Sequence, residues 1–309
     1  MRHLKTIFHG TKHLQTYPYP ERNKTMGRQK FSVCLIVFLM GILLACDGSQ
    51  TVNKPSKSGV GINEISDSAW QKLSGKKIYF GHKSVGENII NGVKDVLKEF
   101  PQIKMNILES NKTEDFSSPV FAHSAVGSNS DPESKMKAFG DILDRGVGNK
   151  ADIAFFKFCF VDILPRTNVE KVFEDYQSFM ARLKEKYPQT IFIHVTVPLT
   201  SNESGIKVWV KKGKDLIKKL IGRVNVFDND KRNEFNEMLR QRYEGKEPIF
   251  DLARIEATLP EGKRATTKKQ GKIDDSLLPL YTDDGGHLNE QGRKIVAEQL
   301  LVLLAQLAK

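Results

Sequence analysis

Strand-like and helix-like segments alternate along most of this chain, and the alternation restricts the fold more than any other feature. Short apolar runs that predict strands lie in KKIYFG, KMNILES, ADIAFFKF, TIFIHVTVPL and PIFDLARIE. Between them, apolar residues recur at helical spacing, as in Ile89, Ile90, Val93, Val96 and Leu97. This order is typical of an α/β protein in which helices cover both faces of a mostly parallel sheet, here with about five strands.

The N-terminal part has the features of an export signal and not of a folded domain. A basic stretch, MGRQK, precedes the 15-residue apolar run FSVCLIVFLMGILLA, and the following LLAC resembles a bacterial lipobox. We therefore predict a leader and lipoprotein signal peptide over residues 1–45. A lipidated Cys46 would anchor the exported chain to the bilayer of the bacterial cell envelope, followed by a flexible tether over 46–67 and one folded domain over 68–309. A short transmembrane anchor is the alternative.

Charge and cysteine content narrow the possible partners. The formal net charge is +11, but residues 1–45 contribute +6 of it, so the remainder is only mildly basic. Because no nucleic-acid-binding motif accompanies this charge, we predict no nucleic-acid partner. If Cys46 is lipidated, Cys159 is the one cysteine left in the mature chain, which excludes an internal disulfide. The histidines lack metal-ligand spacing such as HExxH, so we predict no metal and no cofactor.

The stretch FGHKSVGENI places a serine, Ser84, at the end of the first predicted strand and directly before a predicted helix. One interpretation is that Ser84 caps this helix, since serine is among the preferred N-cap residues. The other is that Ser84 is a nucleophile. Ligands of parallel α/β sheets bind beyond the carboxyl ends of the strands, which is where Ser84 lies.

A second motif contains the groups that a serine nucleophile requires. The sequence DDGGHLNEQGR, just before the last predicted helix, contains Asp284 and His287. A nucleophilic serine needs a base within hydrogen-bond reach and a group that orients the base. Asp284 can reach the second imidazole nitrogen of His287 across two glycines. Taken alone, the same sequence also fits a turn followed by a helix cap.

The combination of a serine after the first strand and D-x-x-H-L-N-x-x-G before the last helix resembles the SGNH (GDSL-like) hydrolase superfamily. The resemblance covers roughly residues 76–309 and is most specific in DGGHLNEQGRKIVAEQL. It implies a three-layer α/β/α, flavodoxin-like fold and an enzyme that hydrolyses or transfers acyl esters. It also implies that Ser84 is the nucleophile, His287 the general base and Asp284 its orienting residue. Gly127, in HSAVGSNSDP, would donate its N–H to the oxyanion hole.

The sequence departs from the family pattern at a further oxyanion donor. The family has an asparagine in a Gly-x-Asn-Asp block after the third strand, whereas this chain reads FCFVD over residues 158–162. Asp162 aligns with the last residue of that block. The N–H of Ser84, at a helix N-terminus, would be one remaining donor. Asn129 and Lys157 are candidate substitutes for the missing asparagine, with a structural role as the alternative for each.

Four further features bear on the site and its surroundings. His82 is either a substrate contact or a hydrogen-bonded turn residue, and Cys159 is interpreted as a small core residue. The basic segment Lys207–Lys219 contacts a membrane or an acidic glycan, or is a solvated helix face. The polar segment Leu259–Leu280 is predicted to be a surface loop beside the site.

Together these features predict a serine esterase or deacetylase. The substrate would be an acyl ester, by family analogy an acetyl ester, on a small molecule or a glycan. Two alternatives share the fold. An O-acyltransferase would use the same residues with a different acceptor, and a non-catalytic glycan-binding or structural envelope lipoprotein would have lost the chemistry.

Overall fold

A six-stranded parallel sheet forms the centre of the structure. The computed structural model describes residues 60–201, 227–269 and 272–308. The strands are β1 (Lys77–His82), β2 (Ile107–Glu109), β3 (Val120–Ala125), β4 (Ile153–Phe156), β5 (Ile191–Val195) and β6 (Ile249–Phe250), in the spatial order β2-β3-β1-β4-β5-β6. Without the short edge strand β2, this is the flavodoxin-like order, which confirms the predicted α/β architecture.

Helices cover both faces of this sheet. The described helices are α1 (Asp67–Ser74), α2 (Val85–Glu99), α3 (Pro132–Ile142), α4 (Val169–Lys186), α5 (Asp230–Tyr243), α6 (Leu252–Glu256) and α7 (Glu290–Leu307). One core lies under α1, α2, α6 and α7, and the other under α3, α4 and α5. Along β1, Ile78 and Phe80 belong to the first core and Tyr79 to the second, as the two-residue period of a strand requires.

Helices α2 and α7 pack closely, and this contact brings the two sequence motifs together. A Cβ on Gly92 of α2 would be 2.2 Å from the carbonyl oxygen of Arg293, so only glycine allows the backbones to approach this far. Asn88 of α2 adds a direct bond, because its Oδ1 accepts from the N–H of Leu288 at 3.3 Å. The segments that precede the two helices therefore lie side by side.

Strand β3 is absent from the predicted strands. His123 and Ser124 interrupt its apolar pattern, which explains the error. In the structure both are buried and hydrogen-bonded inside the sheet. The Ser124 hydroxyl is 2.8 Å from the Tyr79 hydroxyl, and His123 Nδ1 is 3.0 Å from His82 Nε2.

Two further segments differ from the prediction. PIFDLARIE is not one strand: β6 covers two residues, and Asp251 then caps α6 by accepting from the N–H of Arg254. The segment Leu259–Leu280, predicted as a surface loop, contains an antiparallel hairpin. Its strands are β7 (Thr266–Lys269) and β8 (Lys272–Asp275).

Residues near the predicted domain boundary already belong to the fold. Ile62, within the predicted tether, is buried in the core beside α1 and α7. The leader over 1–45, Cys46 and the segment Lys207–Lys219 lie outside the described residues. In the part of the chain that the structure describes, no helix combines the length and apolarity needed to cross a membrane.

Candidate active site

Ser84 occupies a strained turn between β1 and α2. Its φ and ψ are 55° and −111°, a conformation that is rare for residues other than glycine. Strain of this kind costs about 1–3 kcal/mol and clusters at functional sites. Ser84 occupies the N-cap position of α2, but its hydroxyl makes no capping hydrogen bond, so capping does not explain the serine side chain. The turn also requires Gly86, since a Cβ there would be 2.3 Å from the Cβ of His82.

Ser84, His287 and Asp284 form a continuous chain of hydrogen bonds. Ser84 Oγ is 2.7 Å from His287 Nε2, and His287 Nδ1 is 2.8 Å from Asp284 Oδ2. A neutral imidazole protonated at Nδ1 donates to the carboxylate and accepts the serine proton at Nε2. This arrangement allows the imidazole to deprotonate the serine during attack on a carbonyl carbon.

The turn that carries His287 also fixes the carboxylate. Asp284 Oδ1 accepts from the N–H groups of Gly286 and His287 at 2.9 and 2.8 Å. Partial burial acts to raise the pKa of Asp284, but hydrogen bonds from His287 and Gly286 outweigh it and lower the pKa to about 2. Asp284 is therefore ionised at neutral pH. The side chains of His287 and Asp284 are 37% and 29% exposed, so a substrate can approach them.

Phe160 supports the imidazole from the buried side. The centroids of the Phe160 and His287 rings are 5.7 Å apart, and their planes meet at 73°, an edge-to-face contact. Phe160 itself is only 2% exposed. Sequence reasoning did not identify this contact, because one phenylalanine in FCFVD carries no signal of a distant histidine.

Gly127 lies in the loop after β3 and adopts a left-handed conformation, with φ +58°. A Cβ on Gly127 would be 2.5 Å from the backbone nitrogen of Lys135, so a larger residue would not fit. The preceding N–H of Val126 donates to the carbonyl of His82 at 3.0 Å, which keeps this loop beside the Ser84 turn. The two backbone N–H groups expected to hold an oxyanion therefore lie on adjacent loops.

The two candidate substitutes for the missing asparagine have different environments. Asn129 is exposed, and its Oδ1 accepts from Lys135 Nζ at 3.2 Å. Lys157 is buried, its Nζ donates to the carbonyl of Phe158 at 3.1 Å, and burial lowers its pKa. Lys157 lies too deep in the core to contact a substrate, whereas Asn129 is exposed to solvent.

His82 is a structural residue. Its side chain is completely buried, so the interpretation as a substrate contact is wrong. Burial, with the charges of His123 and Lys157, lowers the pKa of His82 to about 3, and the ring stays neutral under the Ser84 turn. Cys159 is also buried, as expected for a core residue.

Sequence reasoning missed Lys135. Its side chain is fully buried and pairs with the equally buried carboxylate of Asp162. A lysine in the helical sequence PESKMKAFG resembles a surface residue, and no local signal reveals its burial. Asp162, which aligned with the family block, also accepts from the backbone N–H groups of Ser130 and Cys159.

The site thus contains a nucleophile, a base, an anionic group that orients the base, and nearby N–H donors. These are the groups that acyl transfer by a serine requires. Over residues 60–201, 227–269 and 272–308, no group of three or more His, Cys, Asp or Glu side chains could hold a metal ion.

Comparisons with known proteins identify the family. The model of the GDSL-like Lipase/Acylhydrolase family matches residues 67–300. No curated protein matches the chain. Among solved structures, the periplasmic domain of a lipopolysaccharide acetyltransferase from Salmonella Paratyphi A has 11% identity and a TM-score of 0.44, over 74% of this chain and 84% of that one. A protein of Parabacteroides merdae described as a GDSL-like lipase has 13% identity and a TM-score of 0.45, over 75% and 98%. Because the family match extends over more than half of the chain, the chain belongs to the GDSL-like lipase/acylhydrolase family.

Proposed function

We propose that this chain is a serine hydrolase that cleaves acyl esters. The observation that supports the proposal most strongly is the unbroken hydrogen-bond chain from Ser84 Oγ through His287 to Asp284, at 2.7 and 2.8 Å. A structural role does not explain why Ser84 adopts a strained backbone and directs its hydroxyl to an imidazole instead of capping its own helix.

The reaction follows from the positions of these groups. As Ser84 Oγ attacks the ester carbonyl, His287 Nε2 takes its proton and the ionised Asp284 stabilises the imidazolium. The N–H groups of Ser84 and Gly127 donate to the oxyanion. When the tetrahedral intermediate collapses, His287 returns the proton to the departing alcohol and the acyl group remains on Ser84. Water, deprotonated by His287, then attacks the acyl carbon, and His287 returns the proton to Ser84 Oγ as the bond between Ser84 and the acyl group breaks and the acid leaves.

For the substrate, we propose an acetyl ester carried by a glycan. The support is the predicted export signal, which would bring the enzyme to the polysaccharides of the cell envelope, together with family analogy. An O-acyltransferase would use the same three residues with a sugar hydroxyl in place of water. Adding a sugar acceptor and measuring new ester against free acid separates the two activities.

We also propose that the chain is exported and lipidated at Cys46, on the evidence of the LLAC sequence after a 15-residue apolar run. Metabolic labelling with an alkyne analogue of palmitate should mark the full chain and leave Cys46→Ser unmarked. Equal labelling of both would contradict lipidation at this residue.

The hydrolase proposal is tested with p-nitrophenyl acetate and the purified full-length protein. We expect Ser84→Ala and His287→Ala each to lower kcat by at least about 10³-fold. Cys159→Ala is the matched control for a thiol nucleophile and should retain activity, because its Sγ is buried. A wild-type rate in Ser84→Ala would overturn the proposal. A non-catalytic glycan-binding protein would show the same negligible rate in every variant.

A further inference from the structure

The carboxylate of Asp162 joins the loops that follow β3 and β4. Its Oδ1 accepts from the N–H of Ser130 at 2.8 Å, and its Oδ2 accepts from the N–H of Cys159 at 2.6 Å and from Lys135 Nζ. The Lys135 and Asp162 side chains are both 0% exposed. A buried carboxylate with three donors is fully satisfied and fixes the groups around it.

These two loops flank the nucleophile. Strand β1 lies between β3 and β4, so the loops after β3 and β4 lie on either side of the turn after β1. The Sγ of Cys159 donates to the carbonyl of Lys83 at 3.3 Å, and Asn129 lies in the loop after β3, two residues past Gly127. Asp162 therefore holds the Asn129 loop against the loop after β4, and that second loop contacts Lys83, the residue before Ser84.

The hydrogen bond from Lys135 determines which way the Asn129 amide faces. An ammonium group can only donate, so the Asn129 atom 3.2 Å from Lys135 Nζ must be the oxygen. The NH₂ group then faces away from Lys135, and Asn129 is exposed. In the same loop, the N–H groups of Ser128 and Ser130 are already bonded to Ser134 Oγ and Asp162 Oδ1. Among the amide groups of residues 127–130, the donors left are therefore the backbone N–H groups of Gly127 and Asn129 and the side-chain NH₂ of Asn129.

We propose that the Asn129 NH₂ group supplies the third oxyanion donor, in place of the asparagine that the family carries after the next strand. Lys135 and Asp162 act as positioning residues that present this group. The inference rests on the proposed hydrolase function. It assigns the third oxyanion donor to the loop after β3, and it gives the buried Lys135–Asp162 pair a role in catalysis as well as in stability.

Two substitutions at Asn129 separate donation from a structural role. Asn129→Ala removes the side-chain amide, and Asn129→Asp keeps an oxygen that can bind Lys135 but cannot donate to an oxyanion. We expect both to lower kcat for p-nitrophenyl acetate by about 10²–10³-fold with KM changed little, because the lost bond forms in the transition state. Ser128→Ala, an exposed neighbour in the same loop, should stay within about threefold of wild type. A wild-type kcat in Asn129→Asp would overturn the proposal.

A double-mutant cycle tests the positioning role of Lys135. Lys135→Met should lower kcat in the wild-type background and add almost nothing in the Asn129→Ala background, since the group that it positions is already gone. Full additivity would contradict the positioning role. If Lys135→Met does not fold, the exposed Asn129 variants still decide the main claim. Ser84→Ala, measured in parallel, distinguishes a failure of the hydrolase proposal from a failure of this inference. Activity that persists without Ser84 would refute the hydrolase proposal. Activity that depends on Ser84 but is unchanged in the Asn129 variants would refute only this inference.

Discussion

The two halves of the candidate site have opposite environments. The triad half, Ser84, His287 and Asp284, is partly open to solvent and is held by short turns and backbone N–H groups. The oxyanion half, which we define as Gly127, Asn129, Lys135 and Asp162, has its donors on an exposed loop but is held by the Asp162 carboxylate and the Lys135 ammonium group, whose side chains are both fully buried. The open half can exchange protons with substrate and water. The buried ion pair keeps the geometry of the oxyanion half fixed.

This difference predicts how each half responds to substitution. Ion pairs that are partly exposed contribute little to folding, so changes in the triad should reduce activity far more than stability. Breaking a buried pair leaves an uncompensated charge in the core, so a change at Lys135 or Asp162 should reduce stability strongly. Four variants, taken from the largest expected effect to the smallest, test this contrast.

Asp284→Asn should lower kcat by about 10⁴-fold, because an amide at this position favours the wrong imidazole tautomer while it preserves the shape of the turn. Initial rates with p-nitrophenyl acetate measure the effect, and urea unfolding should show a much smaller change in stability. Asp283→Asn, the adjacent carboxylate, is the control and should keep nearly full activity. Equal losses in the two variants would show that the turn, and not the His287–Asp284 bond, matters.

Lys135→Met should lower the free energy of unfolding by about 3–5 kcal/mol, because the buried Asp162 carboxylate loses its cation. Lys137→Met is the control on the same helix. Its side chain is 74% exposed and pairs with Asp141, so we expect a change within about 0.5 kcal/mol. Urea unfolding followed by circular dichroism measures both. Similar values for the two variants would remove the energetic contrast between the halves.

Glu256 sharpens the comparison, because it is a buried carboxylate that forms no direct ion pair among the described residues, although the charges of Lys157 and Arg232 act on it. Its Oε2 accepts from the N–H of Leu199 at 2.9 Å, and Oε1 has no hydrogen-bond partner among the described residues. Burial raises the pKa of Glu256 to about 8, against an ordinary value of 4.5. The unfolded chain therefore releases this proton at lower pH than the folded protein. The resulting stability is complete below pH 4.5 and is lost as the pH rises towards 8.

The free energy of unfolding should accordingly fall by about 2–4 kcal/mol more in the wild type than in Glu256→Gln between about pH 5 and pH 8. Unfolding curves in urea at the two pH values provide the test. Parallel pH profiles for the two proteins would show that Glu256 does not titrate in this range.

Gly92→Ala tests the contact that brings the motifs together. Its Cβ would be 2.2 Å from the Arg293 carbonyl oxygen, so α2 and α7 must separate, at a cost of about 1–3 kcal/mol and with reduced kcat. In Gly75→Ala, the matched control, the nearest atom to the new Cβ is 3.5 Å away and the backbone is already helical. Thermal unfolding and esterase rates should separate the two variants. An unchanged Gly92→Ala protein would contradict the close packing.

The open half of the site was predictable from sequence because its signals are local. Ser84 lies at a strand-to-helix turn, and Asp284 and His287 lie three residues apart in one turn. The six-stranded sheet was largely predictable for the same reason, since most of its strands are continuous apolar runs. The order of these elements then brought the two motifs within reach of each other.

Gly127 and Asn129 were predicted as oxyanion donors, but strand β3 and the buried Lys135–Asp162 pair behind them were not, because their signals are tertiary. Strand β3 was hidden by His123 and Ser124, polar residues that find partners only on the neighbouring strand β1. Lys135 has the local sequence of a surface residue, and its burial depends on a carboxylate 27 positions later in the chain. Nothing within either segment indicates that pairing.

Covalent labelling of Ser84 is the measurement that tests the central claim most directly. The full-length protein is treated with a fluorophosphonate and its peptides are analysed by mass spectrometry. We expect one adduct, on the peptide that contains Ser84, with slower labelling in His287→Ala and none in Ser84→Ala. A wild-type protein that stays unlabelled, or carries the adduct at another residue, would contradict Ser84 as the activated nucleophile.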